Sequence, residues 1–270
     1  RQMCIRDRND VDGKPWDFNI EEKRDRAERL VKQKKALLLI GSPMCTAFSA
    51  WQRINNKKRD ASVVSREYAR AMVHIRFTME LYQLQHAAGR YFLHEHPAQA
   101  SSWAEPVVER IAKMQGVRVV VGDQCQFGAV DAAGGPIKKP TKFMTNCGGI
   151  ADSLSLRCRG RGGACSRPAG GKRVLCNGKT ARLAAIYPFD LCKAILKGFR
   201  DQMELDGRKT PGEVGLHALE VVDDLTLHVG GPRGEVLKVH VEGSQEFRDD
   251  LTGQLLDPQL VREARAKEME

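Results

Sequence analysis

An α/β fold with an open parallel sheet is what this sequence predicts, on three observations. Five apolar residues, Ala36 to Ile40, run unbroken into Gly41 and Ser42, the pattern of a strand buried on both faces. Tyr91–Leu93 and Val117–Val121 are two further apolar runs, and each follows a stretch of helical periodicity. Strands that alternate with helices in this way pair in parallel.

The elements follow in order. Asp12-Gly13-Lys14-Pro15 reads as a turn, and Asn19 with Glu22 has capping-box spacing ahead of a helix striped by Ala27, Leu30 and Val31. Phe48 and Trp51 are apolar enough to pack the loop after the first strand against the sheet. Ser65–Ala88 reads as a long helix with Tyr68, Met72, Ile75, Met79 and Tyr82 on one buried face, ended by Gly89. Ser102 and Glu105 make a second capping box, with Trp103, Val107 and Ile111 on the buried side and Gly116 as the stop. The third strand runs to Gly122, and a loop leads to the basic strand Lys138–Asn146. Ala184–Pro188 then opens a helix carrying Leu191, Ile195 and Phe199, and the domain boundary is expected near Met203. Beyond it, Leu225–Val229 and Val236–Val241 flank a Gly-Pro turn as a hairpin, and Asp257-Pro258 starts a terminal helix.

Chemistry in an open α/β sheet gathers past the carboxyl ends of the strands. The first strand ends in Pro43-Met44-Cys45 and the second in His94-Glu95-His96-Pro97, so a thiol and a carboxyl are expected to face one crevice.

Strand-Gly-Ser-Pro-Met-Cys-Thr-Ala-Phe-Ser followed by strand-Glu-x-Pro resembles the Pro-Cys nucleophile loop and Glu-bearing strand end of DNA cytosine-C5 methyltransferases. The resemblance covers roughly residues 12–203. It implies a Rossmann-like, methyltransferase-like sheet, with Cys45 as the nucleophile that adds to C6 of a flipped cytosine and Glu95 as the acid at N3. It also implies S-adenosylmethionine as methyl donor, with Pro43 in the cofactor-side loop and Asp17 as the residue that meets the adenine; an ordinary turn Asp is the alternative reading of Asp17. Met44 stands where the family has a second Pro, and His96-Pro97 where it has Asn-Val. The family's glycine-rich loop is expected upstream of Asp17, so the domain reads as N-terminally truncated. Cys125 with the Lys138–Asn146 strand is similar to a segment of phage-like members, without the usual Gln-x-Arg-x-Arg pattern.

Charge separates the chain into three parts. Residues 1–8 carry +2, residues 9–203 carry +15 and residues 204–270 carry −7, which add to the net +10. Gln2–Arg8 resembles translated sequencing adaptor, a scar rather than part of the fold. A basic body followed by an acidic connector points to DNA or another nucleic acid as partner. Lys139 and Lys142 are candidate phosphate contacts, and Lys57, Lys58 and Arg59 form a basic step. No apolar run approaches the roughly 18 residues of a membrane helix, and no secretory signal stands in the sequence, so an intracellular protein, nuclear or cytoplasmic, is expected.

Eight Cys in such a chain argue for free thiols or metal rather than disulfides. Cys158, Cys165 and Cys176 lie in the Arg/Gly-rich segment 155–181, at gaps of six and ten residues. Zinc sites commonly use close Cys-x-x-Cys pairs, so the segment reads as a basic loop and no metal is assigned. A fourth ligand, were there a site, would be Cys147, Cys192 or a residue outside the segment.

A second resemblance spans residues 9–270. Asp250-Leu251-Thr252-Gly253, Leu256-Asp257-Pro258 and Val261-Arg262-x-Ala264-Arg265 look like the connector ahead of the reverse transcriptase in copia-type retrotransposon polyproteins of dinoflagellates. It implies a polyprotein fragment with reverse transcriptase as a neighbouring domain. Two further readings differ in class from a methyltransferase: a non-catalytic nucleic-acid-binding module, and a structural linker.

Overall fold

The computed structural model describes residues 13, 16–50, 52–176, 180–181 and 184–208, with backbone alone at 53 and 54, and two short strands at 247–248 and 255–256. The chain divides into two compact units, Arg1–Glu213 and Val214–Glu270. Residues 1–8, Trp51, the 225–241 hairpin and the terminal helix from Asp257 all lie outside the described residues.

In the first unit, α1 (Glu21–Lys34) precedes β1 (Leu38–Gly41). A 3-10 turn (Thr46–Phe48) and a single helical turn, α2 (Gln52–Asn55), lead to the long α3 (Ala61–Ala87). Then come β2 (Tyr91–Pro97), α4 (Pro106–Ala112), β3 (Arg118–Asp123), β4 (Pro140–Thr145), α5 (Gly148–Ser153) and α6 (Phe189–Leu205). In the second unit, Phe247–Arg248 pairs antiparallel with Leu255–Leu256.

Local chemistry sets the helix ends, not always where the spacing predicts. Asp60 caps α3, its carboxylate accepting from the amides of Ser62 at 2.8 Å and Val63 at 3.1 Å, so the helix starts ahead of Ser65. Gly89 closes it at φ +63°. The capping box at Asn19 does not form: Ile20 occupies the cap of α1, because Asn19 donates both its backbone and its side-chain amide to Asp17. Nor does Ser102 cap α4. Glu105 stands at that cap, Pro106 opens the helix, and Ser102 turns inward to His96.

The sheet order is β1-β2-β4-β3, and it corrects the all-parallel expectation. β1 and β2 run parallel, Leu38 beside Tyr91 and Gly41 beside His94. β4 is antiparallel to both β2 and β3 and fills the place between them. The link from β3 to β4 is a 3-10 turn (Gln124–Phe127) and a loop, without the α-helix that usually returns a parallel strand. β1, expected to be buried on both faces, is half-exposed, with Ile40 38% accessible, because it ends the row of strands among the described residues.

Side-chain alternation along β2 divides the core into two layers. Phe92 faces α3 and α4, packing with Ile75, Met79, Tyr82, Val108 and Ile111. Leu93 faces α5 and α6, packing with Phe143, Ile150, Leu154, Leu191 and Ile195. The predicted stripe of α3 is buried at Met72, Ile75, Met79 and Tyr82, while Tyr68 stays 41% exposed and donates to Glu105. The Tyr82 hydroxyl sits 3.1 Å from the Gly41 carbonyl, in space that a Cβ on Gly41 would invade. This contact sets the carboxyl end of β1 against the helix layer.

Candidate active site at the carboxyl ends of the parallel strands

Cys45 lies past the end of β1 as the cap of the 3-10 turn, and its thiol is half-buried. Phe48, 1% exposed, anchors that turn against Tyr68 and His96. Glu95 lies in β2, 7% exposed, on the strand face that also carries Leu93. The pairing of β1 with β2 brings the two groups close enough for the charge of Glu95 to act on the thiol. Burial first, then that charge, pushes the Cys45 thiol above its ordinary value, while the Lys139 ammonium pulls the other way. One carboxylate oxygen of Glu95, Oε1, is buried without a hydrogen-bond partner.

Tyr187 completes the group. Its hydroxyl shares a 2.7 Å hydrogen bond with the Ser42 hydroxyl, and it lies close enough to Glu95 to feel that carboxyl. Burial, followed by the Glu95 charge, pushes its phenol well above the usual range. The turn ahead of α6 thereby reaches across to the end of β1.

His96 holds the loop that carries Cys45. Its Nε2 donates to the Pro43 carbonyl at 2.8 Å, and its Nδ1 accepts from Ser102 Oγ at 2.6 Å. Burial lowers the His96 pKa, opposed by the Pro43 contact and the Glu95 charge. Neighbouring His94 is fully buried and its pKa lies well below the ordinary value, through burial and then His96.

The other candidate residues are dispersed. Lys139 points inward and donates to the Ala184 carbonyl at 2.9 Å, with its charge felt by Cys45 and His96. Lys142 lies over the Trp103 ring, 5.1 Å from its centroid. Lys57 and Lys58 are exposed, and Arg59 pairs with Glu67 at 2.6 Å. Lys58 and Arg59 line an open depression of about 570 Å³ together with Thr46, the residue after Cys45. Asp17 is exposed in the turn before α1, and its hydrogen bonds to Asn19 hold its carboxyl below the usual value.

Asp17 and Pro43 were the two residues expected to meet S-adenosylmethionine. Oδ1 of Asp17 takes both Asn19 amides and the Pro43 carbonyl takes His96, so these polar groups are engaged within the protein.

Sequence reasoning missed the hydrogen bond between Ser42 and Tyr187 beside Glu95, and the grip of His96 on Pro43. In the sequence Tyr187 stands only as the approach to the closing helix, and nothing in its local sequence points across the sheet. His96 carried a signal, since it stands directly after Glu95 on the strand.

No protein-family model, curated protein or solved structure matches this chain. No helix among the described residues is long and apolar enough to cross a membrane.

Proposed function

We propose that the first unit is a nucleic-acid-directed domain of the cytosine-C5 methyltransferase type, in which Cys45 and Glu95 receive an extruded cytosine. The single observation that supports this reading is their juxtaposition: a thiol and a buried carboxyl with a vacant acceptor oxygen, at the ends of two parallel strands. In the proposed chemistry the Cys45 thiol passes its proton to the Glu95 carboxylate, the resulting thiolate adds to C6, and Glu95 gives that proton to N3, so that ring electrons move toward C5. Tyr187, bonded to Ser42, stands beside the carboxyl, and His96 positions the Cys45 loop.

S-adenosylmethionine is the donor this family uses, and it supplies an electrophilic methyl group when bound. Because Oδ1 of Asp17 and the Pro43 carbonyl are already engaged within the protein, the reading stops at base capture and addition.

One observation favours a second reading, a non-catalytic nucleic-acid-binding module. Burial and the charge of Glu95 both hold Cys45 as the thiol, the unreactive form. The polyprotein setting, with a reverse transcriptase downstream, rests on the sequence resemblance alone.

A duplex carrying 5-azacytosine separates the readings, because nitrogen at ring position 5 makes C6 electrophilic without a methyl donor. A covalent complex that forms on the native chain and is lost in Cys45→Ser supports the catalytic reading. Salt-sensitive binding with no adduct supports the module. Neither adduct nor binding would overturn both.

A further inference from the structure

The segment 157–173 has no large apolar side chain around which to fold. It nevertheless holds a defined path: Cys165 donates its amide to the Gly171 carbonyl at 2.8 Å, Arg173 to Gly163 at 2.7 Å, and Arg159 to Ser166 Oγ at 2.9 Å. Within it, only Cys158 and Cys165 are buried, at 8% and 7% exposure. They meet Cys125, fully buried at the end of β3, and these three cysteines form a cluster of their own. Cys125, Cys158 and Cys165 sulfurs all lie within 4.8 Å of one another.

We propose that Cys125, Cys158 and Cys165 bind one Zn²⁺ that staples the Arg/Gly-rich segment to the end of β3. Zn–S bonds of about 2.3 Å in a tetrahedron set their sulfurs about 3.8 Å apart, and the sulfurs of Cys158 and Cys165 are 3.8 Å apart. Hydrogen bonds that stabilise thiolates are already in place. Gln126 Nε2 lies 3.6 Å from the sulfurs of both Cys125 and Cys165.

Asp123 sets the register between the two elements that supply the ligands. Its Oδ2 accepts from the Cys158 amide at 2.7 Å and from Arg157 at 3.0 Å, two residues before Cys125. Charge fits as well: three thiolates and a divalent ion leave one negative charge, and 157–173 supplies six basic and no acidic residues. The fourth position is open to water or an incoming ligand. Cys176, part of the sequence-based trio, packs instead beside Ala129, Ile137 and Ala184.

The test uses the full 270-residue chain purified under reducing conditions without chelator. One equivalent of zinc by elemental analysis, lost in Cys158→Ser and kept in Cys176→Ser, is the expected result. Alkylation of the native chain with iodoacetamide, with and without added Zn²⁺, gives a readout that does not depend on a variant folding. Zinc is expected to shield Cys125, Cys158 and Cys165 from modification while leaving Cys176 reactive. Substoichiometric zinc, copper(I) in its place, a Cys158–Cys165 disulfide in the reduced preparation, or loss of metal in Cys176→Ser would each overturn the assignment.

Discussion

His96 Nε2 donates a 2.8 Å hydrogen bond to the carbonyl of Pro43, two residues before Cys45. A nitrogen that faces a carbonyl must carry the proton, and Nδ1 then accepts from Ser102, so the ring is satisfied as the neutral tautomer. Strand β2 thus holds the loop that follows β1 through a group that works uncharged.

Acid is therefore expected to destabilise the first unit before its carboxylates titrate. His94 and His96 both have folded pKa values below the ordinary imidazole value, so the unfolded chain takes up protons first as pH falls. Their contribution is intact above about pH 6.5 and is lost below it, toward the depressed folded values, with a slope of about 1.4 kcal/mol per pH unit for each histidine. Urea unfolding between pH 7.5 and about 5.5 checks this. A flat profile across that window would show that neither ring stays neutral in the folded protein.

The Cys45 thiol makes a prediction of opposite charge sense. Burial and the Glu95 carboxylate raise its pKa, so alkylation of Cys45 is expected to be slow near neutrality and to accelerate at alkaline pH. Glu95→Gln removes the repelling charge and is expected to raise the alkylation rate at pH 8. Lys139→Ala should move it the other way. Site-resolved mass spectrometry measures both, and an unchanged rate in Glu95→Gln would separate the two groups electrostatically.

Much of this arrangement was legible in the sequence because it is set by local patterns. Short apolar runs, broken in β3 only by Arg118, gave β1, β2 and β3, and helical spacing gave the buried face of α3 from Met72 to Tyr82. The placement of Cys45 and Glu95 followed from the direction of two parallel strands. The antiparallel sense of β4 was not legible, since alternation along Pro140–Thr145 is the same in either direction and only the tertiary path decides it. Cys125 was likewise invisible as a partner of Cys158 and Cys165: it lies more than thirty residues earlier, and Asp123 brings the segments together. The cap of α1 failed for a simpler reason, competition from Asp17 for the same Asn19 groups.

Tyr187 places a polar hydroxyl, held by Ser42 at 2.7 Å, beside Glu95, and a phenyl ring cannot replace it. Because Oε1 of Glu95 already lacks a partner, Tyr187→Phe is expected to leave the carboxylate poorly satisfied and to cost about 1–3 kcal/mol. Most of that cost should vanish in a Glu95→Gln background, giving a coupling above about 0.5 kcal/mol in a double-mutant cycle. Additive losses would mean that the two side chains do not interact in solution.

Gly198 tests the packing behind the site. It lies within α6, where an exposed glycine would gain about 1 kcal/mol on replacement by alanine through helix propensity alone. At this position a Cβ would run into the Gly149 carbonyl of α5, and a Cβ on Gly149 would meet the Gly198 carbonyl in return. Both obstacles are backbone, which cannot rotate aside, so the helices must separate. That separation disturbs Ile150 and Ile195 in the layer beneath Leu93, and the turn carrying Tyr187 directly precedes α6. Gly198→Ala is therefore expected to destabilise the protein by about 1–3 kcal/mol, the cost of overpacking outweighing the gain in propensity. It should also shift the Cys45 alkylation rate, because moving α6 moves Tyr187 relative to Glu95. Chemical denaturation gives the first number and the alkylation assay the second; a neutral or stabilising Gly198→Ala would show that α5 and α6 do not meet at these two glycines.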